Sequence, residues 1–263
     1  MLKHLLRTTC LTPVLLLTAG AMAGELPAVS QPNSVVSIGV ASDDDGLWLS
    51  GDARLAAALG DLLGAQGDVQ FEVGDGYAHL GVASHLFLRD PTLGLIGLYG
   101  AGSLEDDGTV LGKLGVEAEL YLGALTASAL VTSDQDGDVD AKARIALYPA
   151  ESTKLYFGID NIEVTELTAG FEQSLGSNVS LFAETSYDSN DESFAVLGGI
   201  RIQFAGEERS LIQRDREDVA PLWRIIDNPT VDASASPSSS ASPSASPSPS
   251  PSFFPSPSPS FIP

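Results

Sequence analysis

Between Val110 and Leu147 the side chains change character at every second residue. Leu114, Val116, Ala118, Leu120 and Leu122 fall on one parity, and Lys113, Glu117, Glu119 and Tyr121 on the other. Leu125, Ala127, Ala129 and Val131 continue the pattern against Thr126, Ser128 and Thr132. After an acidic turn it resumes, with Val139, Ala141, Ala143, Ile145 and Leu147 against Asp140, Lys142, Arg144 and Tyr148. Period two is the mark of a strand with unlike faces. These runs reach about ten residues or more, where strands of globular proteins usually run about 5 to 6. A tilted strand needs about 9 to 11 residues to cross a bilayer. The pattern therefore predicts an all-β, up-and-down antiparallel transmembrane β-barrel.

The same reading applied from Ser34 predicts twelve strands, near 34–42, 47–59, 65–74, 76–89, 93–103, 109–122, 124–133, 138–148, 153–160, 164–175, 178–187 and 193–204. Asp, Asn and Gly clusters separate them, as turn chemistry requires. An even number of strands suits a bacterial single-chain barrel. Residues 52–66 also read as an amphipathic helix, with Asp52 as N-cap and Leu55, Leu59, Leu62 and Leu63 at helical spacing. Strict alternation from Leu47 to Leu59 favours a strand; a helix would reduce the strand count to ten or eleven.

The start of the chain predicts export. Lys3 and Arg7 precede an apolar run from Leu11 to Ala19, and Ala21-Met22-Ala23 has the small-x-small form of a cleavage site. Residues 1–23 thus read as a signal peptide and 24–33 as a lead-in. The barrel would occupy 34–205, a charged periplasmic segment 206–232, and a disordered Ser/Pro/Ala-rich tail 233–263, whose composition cannot bury a core. The single cysteine, Cys10, lies in the discarded part, so the mature chain would have no disulfide and no thiol chemistry. A net charge of −22 excludes nucleic acid as a partner and favours divalent cations.

Charge also distinguishes ends and faces. The odd-numbered turns carry Asp43, Asp44, Asp45, Asp75, Glu105, Asp106, Asp107, Asp134, Asp136, Asp138, Asp140, Asp160, Glu163, Asp188, Asp191 and Glu192 without a single base. The even-numbered turns carry only Asp61, Arg89, Asp90 and Glu151, so one rim is acidic and the other bland. Within strands, Asp52, Arg54, Asp68, Glu72, Lys113, Glu117, Glu119, Lys142, Arg144, Lys154, Glu166, Glu172, Glu184 and Arg201 all share the polar parity. Lipid contact demands such an uncharged opposite face, because a base at mid-bilayer costs roughly 2–4 kcal/mol. These fourteen residues are expected to face the lumen as paired charges, forming either a ladder that closes the pore or a narrow cation-preferring channel.

Gly199-Ile200-Arg201-Ile202-Gln203-Phe204 resembles the closing-strand signal of outer-membrane barrels, although that signal usually ends the chain. The likeness implies handling by the barrel-assembly machinery. The chain also resembles uncharacterised porin-like outer-membrane barrels of alphaproteobacteria over 34–221. The likeness is carried by His85-Leu86-Phe87-Leu88-Arg89-Asp90-Pro91, by Glu117-Ala118-Glu119-Leu120-Tyr121-Leu122-Gly123 and by Ser210-Leu211-Ile212-Gln213-Arg214-Asp215-Arg216-Glu217-Asp218. It implies fold and location and transfers no active site.

Chemical motifs are sparse. Asp134, Asp136, Asp138 and Asp140 alternate as calcium loops begin, but Val139 takes the sharp-turn position and Ile145 the place of the closing Glu. A solvated hairpin is expected there, with weak Ca²⁺ or Mg²⁺ binding shared along the rim and bridging to lipopolysaccharide phosphates. Ser84 and His85 are adjacent on a strand and point to opposite faces, so they cannot form a nucleophile–base pair. No cofactor and no catalytic residue is expected.

The reading is a non-enzymatic outer-membrane barrel, a structural or surface protein or a narrow channel, with a periplasmic tail for which an inert role is favoured over contact with the cell wall. The alternatives are a soluble secreted β-barrel or sandwich binding an apolar ligand, which shares the same periodicity, and an outer-membrane lipid-modifying enzyme. Mass spectrometry of protein recovered from the membrane fraction should find a mature chain beginning at Gly24. Retention of Met1 would overturn the signal-peptide reading.

Overall fold

The structure is a computed structural model that describes residues 27–43, 46–104, 108, 110–160, 166–176, 178–190, 192–204 and 209–225. The stretch read as a signal peptide, several acidic turn residues (Asp44, Asp45, Glu105, Asp106, Asp107, Glu163 and Asp191) and the stretch read as a tail lie outside the described residues.

Twelve strands follow one another: β1 (Asn33–Ser42), β2 (Leu47–Ala58), β3 (Leu63–Gly74), β4 (Tyr77–Asp90), β5 (Gly94–Leu104), β6 (Val110–Leu122), β7 (Leu125–Asp134), β8 (Val139–Ala150), β9 (Thr153–Asp160), β10 (Glu166–Gly176), β11 (Val179–Asp188) and β12 (Phe194–Phe204). Each pairs antiparallel with its neighbours in sequence, and β1 closes on β12 from Ser34↔Phe204 to Ser42↔Val196. The barrel therefore has no free edge, the condition for placing sheet in a bilayer where no water meets an open amide. The segment that also read as a helix supplies most of β2 and the start of β3, joined by a short turn. Its period-two register pairs Arg54 with Asp68 and Leu55 with Gly67, so both strands put their aliphatic residues on one face.

The aliphatic parity points outward. Ile38, Leu55, Val82, Leu98, Leu114, Leu120, Ile145, Phe157 and Ile200 all stand exposed on the barrel exterior. Tyr187 and Phe194, paired across β11 and β12, are exposed near the acidic rim, and Phe204 near the other. So large a continuous apolar belt is not left in water by a monomeric soluble protein. A soluble barrel would reverse the two faces and pack these side chains together.

Leu98 sits mid-strand in β5, opposite Leu86 and Val116, whereas Leu104 ends the same strand. Leu98→Arg should destabilise the barrel by about 2–4 kcal/mol and Leu104→Arg by about 0–1 kcal/mol, following the depth dependence of lipid-facing cations. Urea unfolding in lipid vesicles measures both; equal costs would contradict the membrane placement.

Candidate functional site

A twelve-stranded cylinder is wider than its own side chains can fill, since about eight strands is the size at which they do so. Here the C-terminal segment enters the interior. Residues 206–232 were expected outside the barrel as a periplasmic segment; residues 209–225 instead lie among the lumen-facing side chains, because those side chains present buried polar groups that need partners.

The entry is built at the bland rim. Ser210 caps a helical turn, Leu211–Gln213, through a reciprocal capping box with Gln213, and a wider turn, Arg214–Asp218, follows. Leu211 N–H donates to Glu151 O in the β8–β9 turn at 2.8 Å, and Arg216 donates to Leu125 O and Thr126 Oγ1 at the start of β7. The N-terminal lead-in meets the same segment. Ser30 Oγ donates to Asp218 Oδ1 at 2.7 Å, and Ala28, Val29, Phe87, Val219 and Ala220 share one buried apolar cluster. Arg89, fully buried, ties the two together by donating to Ala28 O at 3.3 Å and Val219 O at 2.6 Å.

From Ala220 the segment runs extended along the lumen, held on alternate sides. On β3, Gln66 accepts from Ala220 N–H at 2.7 Å, while Gln70 donates to Trp223 O at 2.8 Å and accepts from Ile225 N–H at 2.9 Å. On β8, Arg144 donates to Leu222 O and Lys142 to Arg224 O, each at 3.3 Å. Gln66, Asp68, Gln70 and Glu72 all face inward at period two, so a polar row on one strand can read an extended backbone as a neighbouring strand would.

Three side-chain clusters fix the segment to the walls. The Trp223 indole, 1% exposed, packs on Ala83, Tyr99 and Leu130 and donates to Glu117 Oε2 at 3.0 Å. Glu117 in turn contacts His85 Nδ1 at 2.8 Å, and His85 Nε2 meets Asp68 at 3.0 Å; only the imidazolium form donates to both carboxylates. Arg224 bridges Glu72 of β3 and Glu166 of β10, at 3.4 and 3.3 Å. Arg214 forks onto Glu172, which is 0% exposed and also takes Arg201 of the wall. Beside it Asp215 accepts from Lys154 and from Tyr148 Oη. Burial by itself would raise the Asp215 carboxyl, yet Arg214 and Lys154 outweigh it and hold the group well below the usual carboxylate range.

None of the fourteen strand charges is exposed. They are not paired mainly with one another. Glu72, Glu117, Lys142, Arg144, Lys154, Glu166 and Glu172 bond the inserted segment. Among wall residues, Asp52 accepts from Ser37, Glu119 from Tyr121 and Ser128, and Glu184 from Tyr156, whose ring lies over Gly170, where a Cβ would be 2.0 Å from Cζ. Asp68 bonds His85, Arg201 bonds Glu172, Lys113 is half-buried and Arg54 is buried. His85, Gln66, Gln70, Arg214, Trp223 and Arg224 are the residues that the parity argument left out. Only His85 and Arg214 of these fall within the stretches 85–91, 117–123 and 210–218, which all meet at this plug.

The acidic turn forms no cage. Asp134 Oδ1 accepts from the backbone N–H of Asp136 and Asp138, both at 2.9 Å, as a hairpin turn does. Among the described residues no three acidic, histidine or cysteine side chains converge on a common point. Ser84 is exposed on the outer face and His85 is buried inside, so the two do not meet.

Closure, the outward apolar belt and the polar interior together decide the class. This is the fold of outer-membrane porin-like barrels. Among solved structures it is similar to the KdgM porin in complex with disordered oligogalacturonate, with 7% identity, TM-score 0.54, and coverage of 65% of this chain and 99% of that one. It is also similar to outer membrane phospholipase A from Escherichia coli, with 11% identity, TM-score 0.51, and coverage of 66% and 90%. At such identities the likeness concerns fold alone. No family model matches the sequence, and neither does any curated protein.

Glu172→Gln leaves Arg201 and Arg214 buried without their shared carboxylate and should destabilise the folded barrel by about 3–5 kcal/mol. In the double variant with Arg214→Gln part of that loss should return, because the two residues act as one unit. Strictly additive losses in urea unfolding would show that the contact contributes nothing.

Proposed function

We propose that this protein is a non-enzymatic outer-membrane barrel whose pore is closed at rest by its own C-terminal segment, and that it serves as a structural or surface protein. The observation that carries this reading is the bonding of residues 220–225 to opposite walls, β3 on one side and β8 on the other. A diffusion pathway needs water-wide continuity, and a backbone gripped from both sides interrupts it. The belt of outward aliphatic side chains supports the membrane location.

One observation favours a second reading, a gated narrow channel. A cavity of about 150 Å³ remains beside the segment, against side chains of β1–β3, β6–β9, β11 and β12. Its lining includes the bases Arg54, Arg144, Lys154, Arg201, Arg214 and Arg224 and the acids Asp52, Glu72, Glu119, Glu184 and Asp215. Six bases against five acids give a cation no advantage here, so a preference for cations finds no support in this cavity.

The purified full-length protein should fractionate with the outer membrane, show heat-modifiable gel migration and pass no unitary current in planar bilayers. Replacing Trp223, Arg214 and Arg224 together by Ala should produce discrete conductance. Steady conductance in the unaltered protein would overturn the resting closure.

A further inference from the structure

We infer that the cavity between the inserted segment and the side chains of β1–β3, β6–β9, β11 and β12 is a binding site for a small oxyanion of single negative charge, with Arg54 as its principal ligand. Arg54 side chain is 5% exposed and lines the cavity, yet its Nε and Nη2 have no hydrogen-bond partner. Its nearest carboxylate contact, Asp52 Oδ2, stands at 3.8 Å from Nε, outside hydrogen-bond range. Arg54 therefore has one carboxylate at ion-pair distance and none at hydrogen-bond distance from Nε. A buried guanidinium left in this condition is costly unless something accepts from it.

Other unpaired donors line the same space. Trp48 Nε1 and Arg144 Nε are buried without acceptors, and both residues line the cavity. One unpaired acceptor, Glu72 Oε2, also belongs to a lining residue. Arg144 already spends Nη1 on Leu222 O, and Arg201 spends its groups on Ser37 and Glu172. What remains unpaired among the lining residues is a set dominated by donors. A single monoanion with two or three acceptor oxygens completes it, and a planar carboxylate matches a guanidinium fork. At about 150 Å³ the space admits only a small ion, not a sugar chain. The inserted segment forms one wall through Leu222 and Arg224, so the site depends on that segment being in place, though not on the pore being silent.

Trp48 in the wall provides the readout. The full-length protein in detergent micelles is titrated with sodium acetate and, separately, with inorganic phosphate, at ionic strength held constant with sodium chloride, following tryptophan fluorescence. A saturable response is expected to one or both, acetate alone marking a carboxylate and phosphate alone a phosphoryl ligand. Arg54→Gln should weaken it roughly tenfold, the loss of one charge-assisted hydrogen bond. Arg144→Gln gives the same comparison if Arg54→Gln does not fold. No saturable response in the unaltered protein, or unchanged affinity in the variants, would mean that the cavity holds only water. A protein that passes no current yet binds no anion would sink this site and leave the closure intact.

Discussion

Everything in this molecule follows from β1 pairing with β12. In hydrocarbon an unpaired backbone N–H or C=O costs several kcal/mol, so a sheet can occupy a bilayer only when its first and last strands meet. The register from Ser34↔Phe204 to Ser42↔Val196 accomplishes this. Closure also divides the two parities between an outer and an enclosed surface, and here the aliphatic one is outside. Once the cylinder is shut, every second residue must look at lipid and the remainder at one enclosed interior, and the segregation of charge to a single parity becomes a physical necessity.

Closure at twelve strands creates the next constraint, an interior too wide for its own side chains. The carboxylates and guanidinium groups that line it are withdrawn from bulk water, and each needs a partner. The chain meets this need with its own C-terminal segment. Glu172 finds Arg214, Glu72 finds Arg224 and Glu117 finds the Trp223 indole, while Gln66 and Gln70 satisfy the backbone of the segment itself. The lead-in at Ala28 and Val29 completes the stopper at the bland rim through Arg89. Most of the lumen is thereby hydrogen-bonded, which is why Arg54, whose Nε and Nη2 have no acceptor, stands out.

Much of the fold was legible in the sequence. Strand number and turn positions could be read because β-periodicity is local: Leu114 and Glu117 declare their faces within a few residues. The region 52–66 shows the limit of such reading, since leucines at suitable spacing satisfy helix and strand alike, and only pairing with β1 and β4 settles it. Of the candidate site, the wall charges were legible and their partners were not. Parity tells where Glu172 points; it carries no information about Arg214, forty-two residues later and beyond the last strand.

By itself the sequence determined long alternating strands with charge confined to one parity and acid confined to alternate turns, because alternation and turn chemistry act between near neighbours. Only the tertiary structure decided that the aliphatic parity faces outward and that the charged stretch after Phe204 turns back into the lumen to bond its walls. That outcome depends on long-range matching of buried donors and acceptors across the barrel, which no local pattern encodes.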